Sequence, residues 1–139
     1  MTTRSAKSSQ NNQSRGRSFE QRFLAWLGKL GWWAHFMQPA SDGSQPFDII
    51  AITDGRVAAF DCKTVKGDRF PLSRAEENQL SAFQALKRQG VNTTYFVLEK
   101  EGEECVYMIP SSVVNYYMEQ GRKSILLREV SHYATLRIE

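Results

Sequence analysis

The stretch that most constrains the fold is Pro46–Lys66, PFDIIAITDGRVAAFDCKTVK. Two apolar runs, Phe47 to Thr53 and Arg56 to Thr64, flank Asp54-Gly55. Asp-Gly between such runs predicts a hairpin, because a type I′ turn needs positive φ at both central positions. With this two-residue loop, Thr53 faces Arg56, Ile50 faces Ala59 and Asp48 faces Asp61. Directly opposed Cβ atoms lie about 4.5–5.5 Å apart, where like charges repel. Lys63, two residues beyond Asp61, points to the same face. Strands this apolar suit burial on both sides, and two carboxylates placed among them are costly unless a cation sits between them. Carboxylate oxygens suit a hard divalent ion, and Mg²⁺ binds through one or two carboxylates together with waters and substrate phosphate. The plainer alternative keeps both aspartates in solvent at the strand ends, with Lys63 paired to one of them. The opposed pair with Lys63 alongside favours metal-dependent phosphodiester chemistry.

Pro46, Asp48 and Asp61-Cys62-Lys63 also resemble the PD-(D/E)XK signature of the restriction-endonuclease-like nucleases, with Asp where many members have Glu. Thr64, then Arg69-Phe70-Pro71-Leu72 leading to Gln79, is similar to the RecU-type Holliday junction resolvases. The resemblance runs from about Arg15 to about Pro110. It implies Mg²⁺, with Mn²⁺ able to substitute, held by Asp48, Asp61, the Cys62 carbonyl and Glu20 of the first helix. It further implies that Lys63 neutralises charge on the phosphorane or positions the water, and that Gln79 hydrogen-bonds that water or a metal-bound one. The long stalk of RecU-type enzymes has no room between Gln38 and Pro46, so the chain looks closer there to the compact archaeal resolvases.

A chain of 139 residues fits one domain. Residues 1–17 read as a disordered basic arm carrying Arg4, Lys7, Arg15 and Arg17, in which Arg15 and Arg17 either gain phosphate contacts on binding DNA or belong to a solvated tail with no role. Residues 18–139 read as a single nuclease domain. No apolar run is long enough to span a bilayer and the N-terminus lacks a signal-peptide core, so a cytoplasmic protein without membrane contact is expected. A net charge of +3 and a pI near 9.0 agree with a polyanionic partner. Cys62 and Cys105 lie in predicted strands without metal-ligand spacing, and are expected to be buried thiols.

Along the chain, Ser18 with Gln21 predicts a capped helix bearing Phe19, Phe23, Trp26, Leu27 and Leu30, stopped by Gly31. Glu20 borders its apolar stripe. Trp32 to Gln38 reads as the first strand, and His35 within it is given no chemistry. Ala40 to Gln45 is a polar loop whose Ser41 and Ser44 could meet phosphates. Lys66, Arg69 and Phe70 form a loop beside the carboxylates, where the cations suit phosphate and Phe70 either wedges against a base or packs on the next helix. Ser73 with Glu76 predicts a second capped helix through Ala75, Leu80, Phe83 and Leu86 to Gly90. Strands follow at Thr93 to Glu99 and Cys105 to Ile109. A short helix capped by Ser111 or Ser112 covers Val113 to Gln120, its apolar residues there for packing, and the tail from Arg122 reads as a strand or edge ribbon.

The fold class is therefore α/β, a restriction-endonuclease-like core with a mixed sheet flanked by helices in αβββαββα order. The function expected is a Mg²⁺-dependent Holliday junction resolvase that nicks four-way DNA junctions symmetrically, as a homodimer and with no small-molecule cofactor. Alternatives are an endonuclease of the same fold acting on flapped, branched or duplex DNA, and a nucleic-acid-binding module that does not cleave.

Overall fold

A computed structural model of the chain describes residues 19–103 and 105–130, together with the backbone of Thr135–Arg137. Residues 19–29 form the first helix, α1. The strands are β1 (Trp33–Phe36), β2 (Ile49–Thr53), β3 (Arg56–Val65), β4 (Arg69–Pro71), β5 (Thr94–Lys100), β6 (Cys105–Pro110), β7 (Ser124–Leu126) and β8 (Thr135–Arg137). The remaining helices are α2 (Glu77–Arg88), α3 (Ser111–Glu119) and the short α4 (Leu127–Val130). Six strands make one mixed sheet in the order β1-β2-β3-β5-β6-β8, with only β3 and β5 parallel. That parallel pair is joined across α2, as the longer crossover between parallel strands requires. The expected α/β fold, a mixed sheet flanked by helices, is therefore the observed one.

Alternation along the strands divides the core between the two faces. Phe19, Phe23 and Leu27 of α1 pack on Ile49, Ala51, Phe60 and Val97. On the other face Phe83 of α2 and Val114 of α3 cover Ala59, Val65, Phe96 and Ile109. Phe23 is fully buried, edge-on to Phe60 at 5.1 Å between ring centroids, and burial of such a ring contributes about 1.5–3 kcal/mol. Helix α1 stops where Gly31 takes φ +93°, and Trp32 N–H bonds back to Leu27 O at 3.0 Å.

The hairpin forms as its turn chemistry dictates. Asp54 and Gly55 have φ of 49° and 74°, and the register runs from Thr53↔Arg56 to Ile49↔Phe60. Asp48 departs from it. Phe47 joins the core of the α2 face, Ile49 that of the α1 face, and Ile50 the α2 face again, so the alternation slips by one residue at Asp48. Its N–H donates to Phe60 O at 3.0 Å, whereas the regular register would turn it away from β3. This is a bulge at the end of β2, and the facing Asp48–Asp61 ladder pair does not form.

Several local expectations change for similar tertiary reasons. Leu30 is 56% exposed and leaves the α1 stripe, while Cys105 is half-buried. The first strand is confined to Trp33–Phe36. Ser73 lies in a 3₁₀ turn, Leu72–Arg74, and the cap of α2 is Glu76 in a reciprocal box with Gln79. Ser111 makes no cap; its hydroxyl shares a 2.5 Å bond with the Thr94 hydroxyl. Of the apolar residues of α3, Val114 packs, whereas Tyr116 is 57% exposed. Phe70 is fully buried against Phe96 and cannot wedge into DNA, because β4 pairs with β7 in the tail and places Phe70 opposite Ile125. The tail also supplies β8 at the edge of the large sheet. Ser18, Arg4, Lys7, Arg15 and Arg17 lie outside the described residues.

Candidate active site

The site forms where β2 ends and β3 continues. Beyond Ile49 the ladder partner of Cys62 N–H is missing, and Asp48 Oδ2 takes its place, accepting that hydrogen bond at 2.7 Å. Asp48 Oδ1 accepts from Gln45 Nε2 at 2.8 Å, so both oxygens are fixed. The Cys62 carbonyl points to the same side of β3 as its N–H, next to Asp48. Asp61 and Lys63 project from the face that carries Ala59 and Val65. The bulge thus replaces the expected ladder contact and still leaves the two carboxyls close enough for the charge of Asp48 to act on Asp61.

The two acids are satisfied unequally. Asp61 is 1% exposed, and Lys63 Nζ approaches its Oδ2 at 3.1 Å without hydrogen-bond geometry, leaving that oxygen buried and without a donor. Burial, and after it the charge of Asp48, push the Asp61 carboxyl up to about 7 against the opposing pull of Lys63. Burial also raises Asp48, opposed first by the Cys62 N–H bond. The Cys62 thiol is driven well up by burial and then by Asp48, Asp61 and Glu20, so it stays a thiol.

An orphaned, buried carboxylate oxygen beside a second carboxylate is a donor set suited to a hard divalent cation. Asp48, Asp61 and the Cys62 carbonyl fit Mg²⁺ or Mn²⁺, leaving positions for water and phosphate. Glu20 is close enough to act on Cys62 from α1, yet among the described residues no three His, Cys, Asp or Glu side chains converge as a cage. Gln79 is buried, but its Oε1 accepts Glu76 N–H at 3.1 Å in the α2 cap.

Lys66 and Arg69 are exposed beyond the end of β3; Arg69 begins β4 and reaches Ser124 Oγ at 3.3 Å. Ser41 and Ser44 are exposed on the loop before the hairpin, where Ser44 closes a turn on Asp42 with bonds of 2.9 and 2.6 Å. Three residues escaped the sequence reading. Gln45 aims Asp48, and Asn78 of α2 anchors the Gln45 carbonyl at 2.8 Å. Arg74 donates to Thr64 O at 2.6 Å, with Asp61 near enough to favour its charge against the cost of burial. None carries a sequence signal beyond proximity to the motif: the Asn78 and Arg74 contacts run between separate elements, and the Gln45 bond to Asp48, though local, follows no periodicity.

The family profile of RecU, Recombination protein U, matches residues 37–138. No curated protein matches the chain. Among solved structures, the fold is similar to that of Hjc from Archaeoglobus fulgidus, a Holliday junction resolvase from an archaeal hyperthermophile. The TM-score is 0.64 at 23% identity, covering 88% of this chain and 95% of that one.

Proposed function

The chain belongs to the RecU family of PD-(D/E)XK-fold nucleases, without the long stalk, and on that premise we propose that it is a Mg²⁺-dependent Holliday junction resolvase that nicks four-way junctions symmetrically as a homodimer. The observation that carries the reading is the unequal carboxylate pair, with Asp48 held from both sides and Asp61 Oδ2 buried without a donor. Asp48, Asp61 and the Cys62 carbonyl would hold the ion, with Glu20 of α1 as a further ligand. The bound ion would supply Lewis acidity at the scissile phosphate and lower the pKa of a bound water.

The remaining work falls to the protein. Lys63, 11% exposed in its side chain beside Asp61, is placed to offset negative charge that grows on the phosphate during attack. Gln45 keeps Asp48 from rotating. Gln79 would orient the attacking water through its amide nitrogen, since Oε1 serves the cap. Lys66, Arg69, Ser41 and Ser44 flank the site and would meet phosphates, as would Arg15 and Arg17 of the arm at residues 1–17, ahead of a single nuclease domain at 18–139. A four-way junction presents two equivalent strands, and paired nicking calls for a two-fold dimer. Among the described residues no helix is long and apolar enough to cross a membrane; action on DNA in the cytoplasm is part of the proposal.

The test is cleavage of a synthetic four-way junction, set beside linear and flapped duplexes, with Mg²⁺, Mn²⁺ or EDTA. Metal-dependent nicking of the junction at symmetric positions, lost in Asp61→Asn, is the expected result. Equal cutting of all three substrates would retain the chemistry and discard the junction; junction binding with no cutting by wild type would leave a binding module.

A further inference from the structure

A second concentration of cations lies beyond the carboxylates, in a cleft of about 510 Å³ between the β4–β7 ribbon, α4 and the ends of β5 and β6. Arg69, Lys100, Arg128 and Tyr107 line it, and Asp68 is the acid among them. Lys100 Nζ is 3.0 Å from Asp68 Oδ1 and 3.0 Å from Glu103 Oε1, and Tyr107 donates to Glu103 at 3.3 Å. The Asp68 carboxyl is held below its usual range by the Lys100 hydrogen bond, with Arg128 and Arg69 adding to the effect. Arg69, Lys100 and Arg128, from three separate elements, thus line the cleft around Asp68, which is 79% exposed, while Lys100 also meets the Glu103 carboxylate. Such open ion pairs are weak, and this carboxylate can be displaced by a better anion. Guanidinium groups match the oxygens of a phosphodiester in geometry as well as charge.

The position of the cleft relates it to the chemistry. Asp61↔Phe96, Lys63↔Leu98 and Val65↔Lys100 are successive pairs on one sheet face. Lys100 thus follows Asp61 by four strand residues, about 13 Å at about 3.3 Å each. A span of this size separates backbone phosphates about two nucleotides apart on one strand, since each step winds around the axis as well as advancing about 3.4 Å along it.

We propose that this cleft is a second phosphate site, which holds a backbone phosphate of DNA a few nucleotides from the one cut, and that Asp68 competes with that phosphate for the three cations. The inference rests on the nuclease reading for its ligand.

Binding of a four-way junction and of a linear duplex, followed by fluorescence anisotropy in EDTA across a salt series, tests it. The Lys100→Ala/Arg128→Ala double variant should bind about tenfold or more weakly near physiological salt, with a log–log salt slope shallower by about two. Asp68→Asn should bind about threefold or more tightly, which loss of a merely structural ion pair would not produce. A neutral methylphosphonate about two nucleotides from the cut should weaken wild type and leave the double variant unchanged. An unchanged slope and affinity in the double variant, or weaker binding by Asp68→Asn, would overturn the proposal. Should wild type show no preference for the junction, the resolvase reading falls while the same slopes on linear duplex still decide the cleft; binding to neither DNA removes both.

Discussion

Asp61 and Glu129 are both carboxylates beside a cation, and the fold treats them in opposite ways. Arg122 meets Glu129 through two bonds of 2.7 and 2.8 Å, and Leu126 N–H adds a third at 3.3 Å. The Arg122 bonds hold that carboxyl at about 2. Lys63 approaches Asp61 at 3.1 Å in poor geometry, one oxygen has no donor, and burial with the neighbouring Asp48 pushes the carboxyl up to about 7. The ribbon pair is complete within the chain and serves to fasten the tail. The hairpin pair sets one lysine against two neighbouring carboxylates and leaves Asp61 Oδ2 without a donor. A buried acid left in that state lowers stability, so the difference separates an ion pair completed within the chain from one that is not.

The comparison breaks most visibly in activity. Lys63→Ala should slow single-turnover junction cleavage on the order of 10²–10³-fold, the scale of losing one charge-stabilising group, with Mg²⁺ affinity kept in calorimetry. Arg122→Ala should cleave at the wild-type rate. Equal losses in the two variants would mean that Lys63 acts only through the fold.

The next effect is on stability. In metal-free protein the folded Asp61 carboxyl titrates near 7, against about 3.9 in the unfolded chain. Between those values the unfolded state is the more ionised, so stability falls as pH rises from about 4 to about 7. Asp61→Asn removes that slope. Thermal melts in EDTA should show the variant level with wild type near pH 4 and more stable on the order of 2 kcal/mol at pH 8, less than the full shift because Asp48 shares the charge. Added Mg²⁺ should then stabilise wild type and not the variant. A variant less stable than wild type at pH 8 would show that Asp61 is satisfied without a metal.

Smaller again is the effect of Gln45→Ala, which frees Asp48 Oδ1 and should lower cleavage about tenfold, as with other groups that orient a metal ligand. Its readout is the Mg²⁺ concentration for half-maximal rate, which should rise; a fall in rate at unchanged metal dependence would point to a different role.

Where contacts are local the chain could be read directly. Asp54-Gly55 set the register of β2 and β3, and the alternation of Asp61, Lys63 and Val65 placed the acid and the cation on one face. The bulge at Asp48 could not be read, because it depends on β1 on one side, where Met37 N–H reaches Asp48 O at 2.8 Å, and on Phe60 on the other. Ser73-x-x-Glu76 and Glu76-x-x-Gln79 are both plausible boxes; Leu72 N–H bonded to Lys123 O at 2.9 Å fixes the chain before the helix and favours the second. Phe70 beside Arg69 suits either a DNA wedge or a core residue, and pairing with a distant tail strand decides it. Gln45 and Arg74 join the site through contacts 3 and 10 residues away that no periodicity encodes.

The smallest effect sharpens the comparison from the other side. Glu129 is depressed to about 2 in the folded protein, against about 4.3 unfolded. Its contribution is therefore present above about 4.3 and is lost as pH falls towards about 2, the reverse of the sign for Asp61. The side chains of Arg122 and Glu129 are 34% and 28% exposed, so solvent screens the pair and Glu129→Gln should cost about 0.5–1 kcal/mol near neutral pH. Urea unfolding at pH 7 and near pH 2 measures it. A difference present at pH 7 and gone near pH 2, with junction cleavage unchanged, leaves the ribbon pair structural. A variant that folds as firmly as wild type but cleaves more slowly would mean instead that the ribbon takes part in holding DNA, and that the two carboxylates differ less in purpose than in place.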